Sequence, residues 1–191
     1  MKAKEYLAPA VVLTLICAVI SFLLGLTNEA TKDRIAENEI KAANAARIEV
    51  LPGAQDFEDV TFFIDNPDYE GYSLYRETSG LGYAVTTKAK GYGGDITVVT
   101  GISAEGKVTG VYTLNSSETP GLGKKTEDEA FTEQYLADRQ GSQFQVVKNT
   151  AKGPGEVVAV AGATISSKAV TQAVNQAVEI YALYAYSRDT M

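Results

Sequence analysis

The side chains best placed for chemistry lie in three glycine-rich stretches: Lys90-Gly91-Tyr92-Gly93-Gly94, Ser117-Glu118-Thr119-Pro120-Gly121-Leu122-Gly123 and Ala161-Gly162-Ala163-Thr164-Ile165-Ser166-Ser167. The third reads as a strand-to-helix turn. Gly162 and Ala163 keep side-chain bulk off its backbone, so a large anion can approach closely. The start of the following helix offers unpaired N–H groups and a partial positive charge, which suit a phosphate. Thr164, Ser166 and Ser167 add hydroxyls at the same end. The plain structural reading makes Thr164 the N-cap of a surface helix, and the residues alone leave these two readings level. Gly91, Gly93 and Gly94 read as a tight turn, Pro120-Gly121 as an ordinary turn pair, and Lys124 and Lys125 as solvated charges.

Composition narrows the chemistry. The chain has 191 residues, with no His, no Trp and a single cysteine, Cys17, inside an apolar run. Zinc sites, haem ligation by His, iron–sulfur clusters and catalytic triads all need residues that are missing. One cysteine cannot form a disulfide within the chain. Redox chemistry on this chain therefore requires an organic cofactor. The formal net charge of −7 provides no basic stripe for a phosphate backbone, so nucleic acid is not an expected partner.

The elements that must hold these loops follow from periodicity. Residues 6–26 carry no charge and are dominated by Val, Leu and Ile. As a helix they would be about 31 Å long, enough to cross a hydrocarbon core. No small-x-small cleavage site follows, so the segment reads as a retained anchor rather than a signal peptide. Lys2 and Lys4 put the N-terminus in the cytoplasm by the positive-inside rule, with Lys32 and Arg34 as a counterweight beyond the helix. Residues 28–50 are rich in Ala, Glu and Lys and read as a helical stalk, stopped by Leu51-Pro52-Gly53. The period then changes to that of strands over 72–77 and 82–89, and over 95–102 and 107–114, the latter two forming a hairpin around Ala104-Glu105-Gly106. Thr126-Glu127-Asp128-Glu129 reads as a capping box opening a short helix through Phe131, Tyr135 and Leu136. Short strands are expected at 144–148 and 157–160. A last helix over 166–186 has Val170, Val174, Ala177, Tyr181 and Tyr184 on one face. The expected class is α+β, a single N-terminal transmembrane helix followed by a domain with a mainly antiparallel sheet flanked by helices. The expected division is 1–27 cytoplasmic N-terminus and membrane helix, 28–52 stalk, and 53–191 outer domain.

A membrane helix, a stalk, then GYGG, SETPGLG and GATISS in that order, before a terminal amphipathic helix, resembles the G subunit of the Rnf complex, an ion-pumping ferredoxin:NAD oxidoreductase. The chain is similar, less closely, to the C subunit of the sodium-pumping NADH:quinone reductase. The resemblance implies an extracytoplasmic FMN-binding domain in an electron-carrying subunit at the cell membrane. It further implies that a flavin transferase, with FAD as donor, attaches FMN through a phosphoester to Thr164. Gly162, Ala163, Ile165 and Ser167 fall in the matching motif. Glu118, Thr119, Leu122 and Gly123 match the loop against the flavin ring, Tyr92, Gly93 and Gly94 the turn on its other side, and Lys148 a further flavin or phosphate contact. The family pattern carries Asp six positions before the acceptor and Ser or Thr three before it; here Val158 and Ala161 stand there. The implied partners are the other subunits of the complex, notably its integral membrane redox subunits. Two rival readings are an extracytoplasmic flavoprotein reductase component and a non-enzymatic membrane-anchored binding module.

Overall fold

A computed structural model describes residues 2–62, 69, 71–136 and 143–189. Contacts divide the chain into two compact units, Met1–Ala42 and Ala43–Met191, and one helix, α1 (Lys2–Val50), contributes to both. Within the first unit the apolar side chains from Val11 to Leu26 are all exposed, and α1 is the one described helix long and apolar enough to cross a membrane. Two of its hydroxyls are satisfied locally. Thr14 Oγ1 donates to the Ala10 carbonyl at 2.8 Å and Thr27 Oγ1 to that of Leu23 at 2.9 Å, so neither hydroxyl demands a partner from lipid. Beyond Leu26 the helix turns polar, with exposed pairs Lys32–Glu29 and Lys41–Glu37 one turn apart; such pairs add a few tenths of a kcal/mol each (~0.2–0.5).

The second unit is built on a five-stranded antiparallel sheet whose strands lie side by side in chain order: β1 (Phe57–Asp59), β2 (Ser73–Glu77), β3 (Gly82–Lys90), β4 (Asp95–Ser103) and β5 (Val108–Asn115). This matches the α+β expectation. The expected hairpin is β4–β5, closed by Gly106 at φ 81° with its N–H on the Ser103 carbonyl. β1 is not legible in the sequence: three residues show no period. A second, parallel pair joins β6 (Gln145–Val147) to β7 (Glu156–Val158).

Helix α3 (Thr164–Asp189) lies across β3 and β4. Alternation sends Leu74, Val85, Ile96, Val98 and Ile102 to this side, where Val170, Ala173, Val174, Ala177 and Ile180 meet them, all buried. Ala169, Ala173 and Ala177 recur every fourth residue, which lets helix and sheet approach closely enough for Thr87 Oγ1 to donate to the Ala173 carbonyl at 2.9 Å. Phe131, Tyr135 and Phe144 close one end of this core edge-to-face. On the other side of the sheet, Ala84 and Val99 are covered by Ala46 and Val50 from the end of α1, and the Arg47 guanidinium stacks over the Tyr75 ring at 3.5 Å. Gly101 and Gly110 are cross-strand partners, and together they form a notch for Val50. Thr109 Oγ1 donates to the Val50 carbonyl at 2.6 Å, and a Cβ on Gly110 would stand 2.6 Å from Val50 Cα.

The capping-box expectation fails. Residues Gly123–Glu127 form a 3-10 turn, and the Thr126 hydroxyl, buried, donates backwards to the Gly123 carbonyl at 2.7 Å. The short helix α2 (Glu129–Thr132) instead follows Asp128, whose side chain makes no capping bond. The turn before the helix claims the hydroxyl, which a four-residue signal does not register.

Candidate functional site

The segment from β7 to α3 is held entirely by bonds within the protein. Gly162, at φ 78°, makes a left-handed turn, and the Ala163 N–H reaches the Val160 carbonyl at 3.0 Å. Ser167, fully buried, locks this turn: its hydroxyl accepts from the Val160 N–H at 3.0 Å and donates to the Ala163 carbonyl at 2.9 Å. The Ala163 carbonyl also takes the first helical bond, from the Ser167 N–H at 2.9 Å. Ala163 therefore sits at the cap, and Thr164 is the first helical residue, two positions before the expected start.

This placement removes the plain reading of Thr164 as an N-cap. Its half-exposed hydroxyl bonds to nothing among the described residues, and the N–H groups of Thr164, Ile165 and Ser166 likewise meet no acceptor there. Three aligned donors and a free hydroxyl thus converge on one helix end, carrying the positive pole of a 26-residue helix.

Opposite stands Glu118, only 3% exposed. One carboxylate oxygen, Oε1, accepts from the Tyr92 N–H at 2.7 Å and the Gly93 N–H at 3.0 Å. The other, Oε2, accepts from Ser166 Oγ at 2.8 Å. Burial alone would push this carboxyl up; the hydrogen bonds from the Gly93 N–H, Ser166 and the Tyr92 N–H outweigh it and hold Glu118 below the usual carboxylate range. The glycine-rich turn at 91–94 is tight, as expected, with the Gly91 N–H on the Gly94 carbonyl at 2.8 Å.

Between these groups opens a cavity of about 440 Å³ lined by Tyr92, Glu118, Thr119, Leu122, Gly123, Gly162, Ala163, Thr164, Ile165 and Ser166, within the ~300–1,000 Å³ usual for cofactor sites. All three glycine-rich stretches reach it. Its rim is apolar: Tyr92 is 75% exposed, Leu122 47% and Ile165 54%. A planar ring system fits such walls, and a phosphate fits the donor-rich end, so the residues present suit a flavin mononucleotide.

Four of the expected site residues lie outside this lining. Ser167 is buried behind Thr164 as the turn lock just described. Gly93 presents only its N–H, to Glu118, and Gly94, at φ 150°, closes the turn. Lys148 is exposed just past β6 and lines none of the cavity. Ser166, which the sequence offers as a hydroxyl at the helix start although the resemblance does not assign it, does line the cavity. At the two positions where the family pattern departs, the Val158 N–H donates to Gln134 Oε1 at 2.7 Å, and Ala161 is exposed.

Residues 91–179 match the FMN-binding domain family and residues 1–50 the RnfG N-terminal region. The chain is 38% identical to the G subunit of the Na(+)-translocating ferredoxin:NAD(+) oxidoreductase complex of Acetobacterium woodii, covering 89% of this chain and 88% of that one. It is 34% identical to the G subunit of the ion-translocating oxidoreductase complex of Methanosarcina acetivorans, covering 93% and 95% respectively. Among solved structures, the C subunit of the Na(+)-translocating NADH-quinone reductase of Parabacteroides distasonis aligns with a TM-score of 0.48 at 20% identity, over 58% of this chain and 60% of that one.

Proposed function

The chain belongs to the family of G subunits of the Rnf ion-translocating oxidoreductase complexes, and from that premise we propose that it carries electrons on an FMN attached through a phosphoester to Thr164. The observation that carries this reading is the Thr164 hydroxyl itself: unbonded among the described residues, at the positive end of α3, facing a cavity with apolar walls. FMN supplies one- and two-electron redox chemistry when bound. The chain's own residues do the rest. The N–H groups of Thr164, Ile165 and Ser166 receive phosphate oxygens. Leu122, Ile165 and Tyr92 shield the ring from water, and the ester tether keeps it from diffusing away.

The same reading divides the chain into a cytoplasmic N-terminus and membrane helix (1–27), a stalk (28–52) and an extracytoplasmic FMN domain (53–191). Its partners are the other subunits of the complex, with integral membrane redox subunits as electron partners and a flavin transferase for maturation. The test is in-gel fluorescence of the denatured chain, produced with and without active transferase, beside Thr164→Val. A band that survives denaturation, needs the transferase and vanishes in the variant is expected. A chain that stays dark despite active transferase sinks the assignment. Sidedness is read by labelling Lys124→Cys, in a Cys17→Ala background, with a membrane-impermeant maleimide on intact cells; labelling only after lysis would invert the topology.

A further inference from the structure

We propose that Glu118 is a positioning residue: its buried carboxylate clamps the turn at 91–94 and the first turn of α3 onto the loop at 117–123, and so sets the spacing between Thr164 and the cavity wall formed by Tyr92. The carboxylate reaches residues 26, 25 and 48 positions away in sequence, through the Tyr92 N–H, the Gly93 N–H and Ser166 Oγ. No other described side chain bonds all three loops of the site. Its own backbone is fixed in turn, with the Glu118 N–H on Ser116 Oγ at 3.2 Å.

The glycines around it are shaped to this role. A Cβ on Gly91 would collide with Glu118 Oε1. A Cβ on Gly123 would collide with Oε2 and stand 2.8 Å from both Glu118 Cβ and Ser166 Oγ. Gly123 is therefore small because a carboxylate must fit between the loops, and Gly91 because that carboxylate and the Ile96 side chain both crowd it. Ser166 belongs to the helical turn begun by Thr164, so its bond to Glu118 fixes the helix end that presents the acceptor hydroxyl. No cation pairs with Glu118 among the described residues. An uncompensated negative charge thus lies against the cavity, where it disfavours added negative charge on anything bound there.

The role towards flavin rests on the Thr164 assignment; the clamp itself does not, and the experiment separates them. In the full chain in detergent micelles, without flavin, amide hydrogen exchange is compared for wild type, Glu118→Gln and Ser166→Ala. Glu118→Gln keeps the shape, removes the charge and leaves a neutral amide oxygen for Tyr92 and Gly93, with the amide nitrogen facing Ser166. Exchange at Tyr92 and Gly93 should rise about 10- to 100-fold, the equivalent of losing a hydrogen bond to a charged group. Amides in the core strands should keep wild-type exchange, showing that the fold persists. Ser166→Ala should leave those two amides near wild type, since it frees only Oε2. Unchanged exchange at Tyr92 and Gly93 in Glu118→Gln overturns the clamp. With transferase present, Glu118→Gln should acquire flavin more slowly than wild type, and its bound flavin should have a more positive midpoint potential. Wild-type loading rate together with an unshifted potential overturns the positioning role. Should wild type itself take no flavin, the Thr164 assignment falls and the clamp is decided on exchange alone.

Discussion

Two helix ends in this molecule meet the same physical problem and solve it in opposite ways. The C-terminal end of α1 has carbonyls with no helical partner, and the protein supplies one: Val50 sits in the Gly101–Gly110 notch, its carbonyl bonded to Thr109 and its side chain buried against the sheet. The N-terminal end of α3 has amides with no helical partner, and the described residues supply none for Thr164, Ile165 and Ser166. Buried helix ends are normally satisfied. An end kept open beside a cavity, on a turn fixed as firmly as this one, suits the phosphate proposed for it. Anchoring and binding use the same backbone chemistry, and the difference lies only in who provides the partner.

That contrast can be broken by experiment. The largest effect falls on the open end: Thr164→Val should remove covalent flavin altogether, yet change the unfolding free energy by no more than ~0.5 kcal/mol, because the hydroxyl holds nothing in the protein. A substantial loss of stability would show that Thr164 is structural after all. The closed end should behave the other way round. Gly110→Ala drives a methyl into Val50 Cα and should cost about 3 kcal/mol in denaturant unfolding of the full chain, with flavin attachment to surviving folded protein unimpaired. A neutral result would mean that Val50 is not seated in the notch.

The smallest effect is one of pH. Glu118 has a folded-state pKa below its ordinary value of 4.5. Its contribution is therefore complete above that value and is lost as the pH falls through the lower, folded one. Wild type minus Glu118→Gln in unfolding free energy should stay flat from pH 7 to about 4.5 and shrink below it. A difference that grows on acidification would have the wrong sign for a clamping carboxylate.

Much of this is legible in the sequence where a regular period carries it. The strands at 73–77 and 82–90 follow from alternation, and the buried face of α3 from Val170, Val174 and Ala177 spaced at three and four. The three glycine-rich stretches also announce themselves as loops, and the structure brings all of them to one cavity. What sequence does not show are bonds between distant loops. Nothing local to Glu118 says that its carboxylate bonds Tyr92, Gly93 and Ser166, so only its place beside the cavity is legible. Ser167 reads as a ligand because hydroxyls at a helix start suit phosphate, whereas its position one turn in turns it back on Val160 and Ala163. Thr126 misleads for a related reason. Short polar side chains bond to whichever backbone group lies nearest, and that choice is made by the turn rather than by the motif.

The lock that Ser167 places on the turn before α3 has a consequence for the order of events in making this protein. The Thr164 acceptor is held in place by the Val160, Ala163 and Ser167 bonds of the protein itself. On the proposed attachment, a transferase meets an acceptor whose backbone the protein has already fixed, so the turn need not be ordered as the bond forms. The entropy of ordering the acceptor is met during folding, by bonds that remain in place whether or not anything is attached to Thr164.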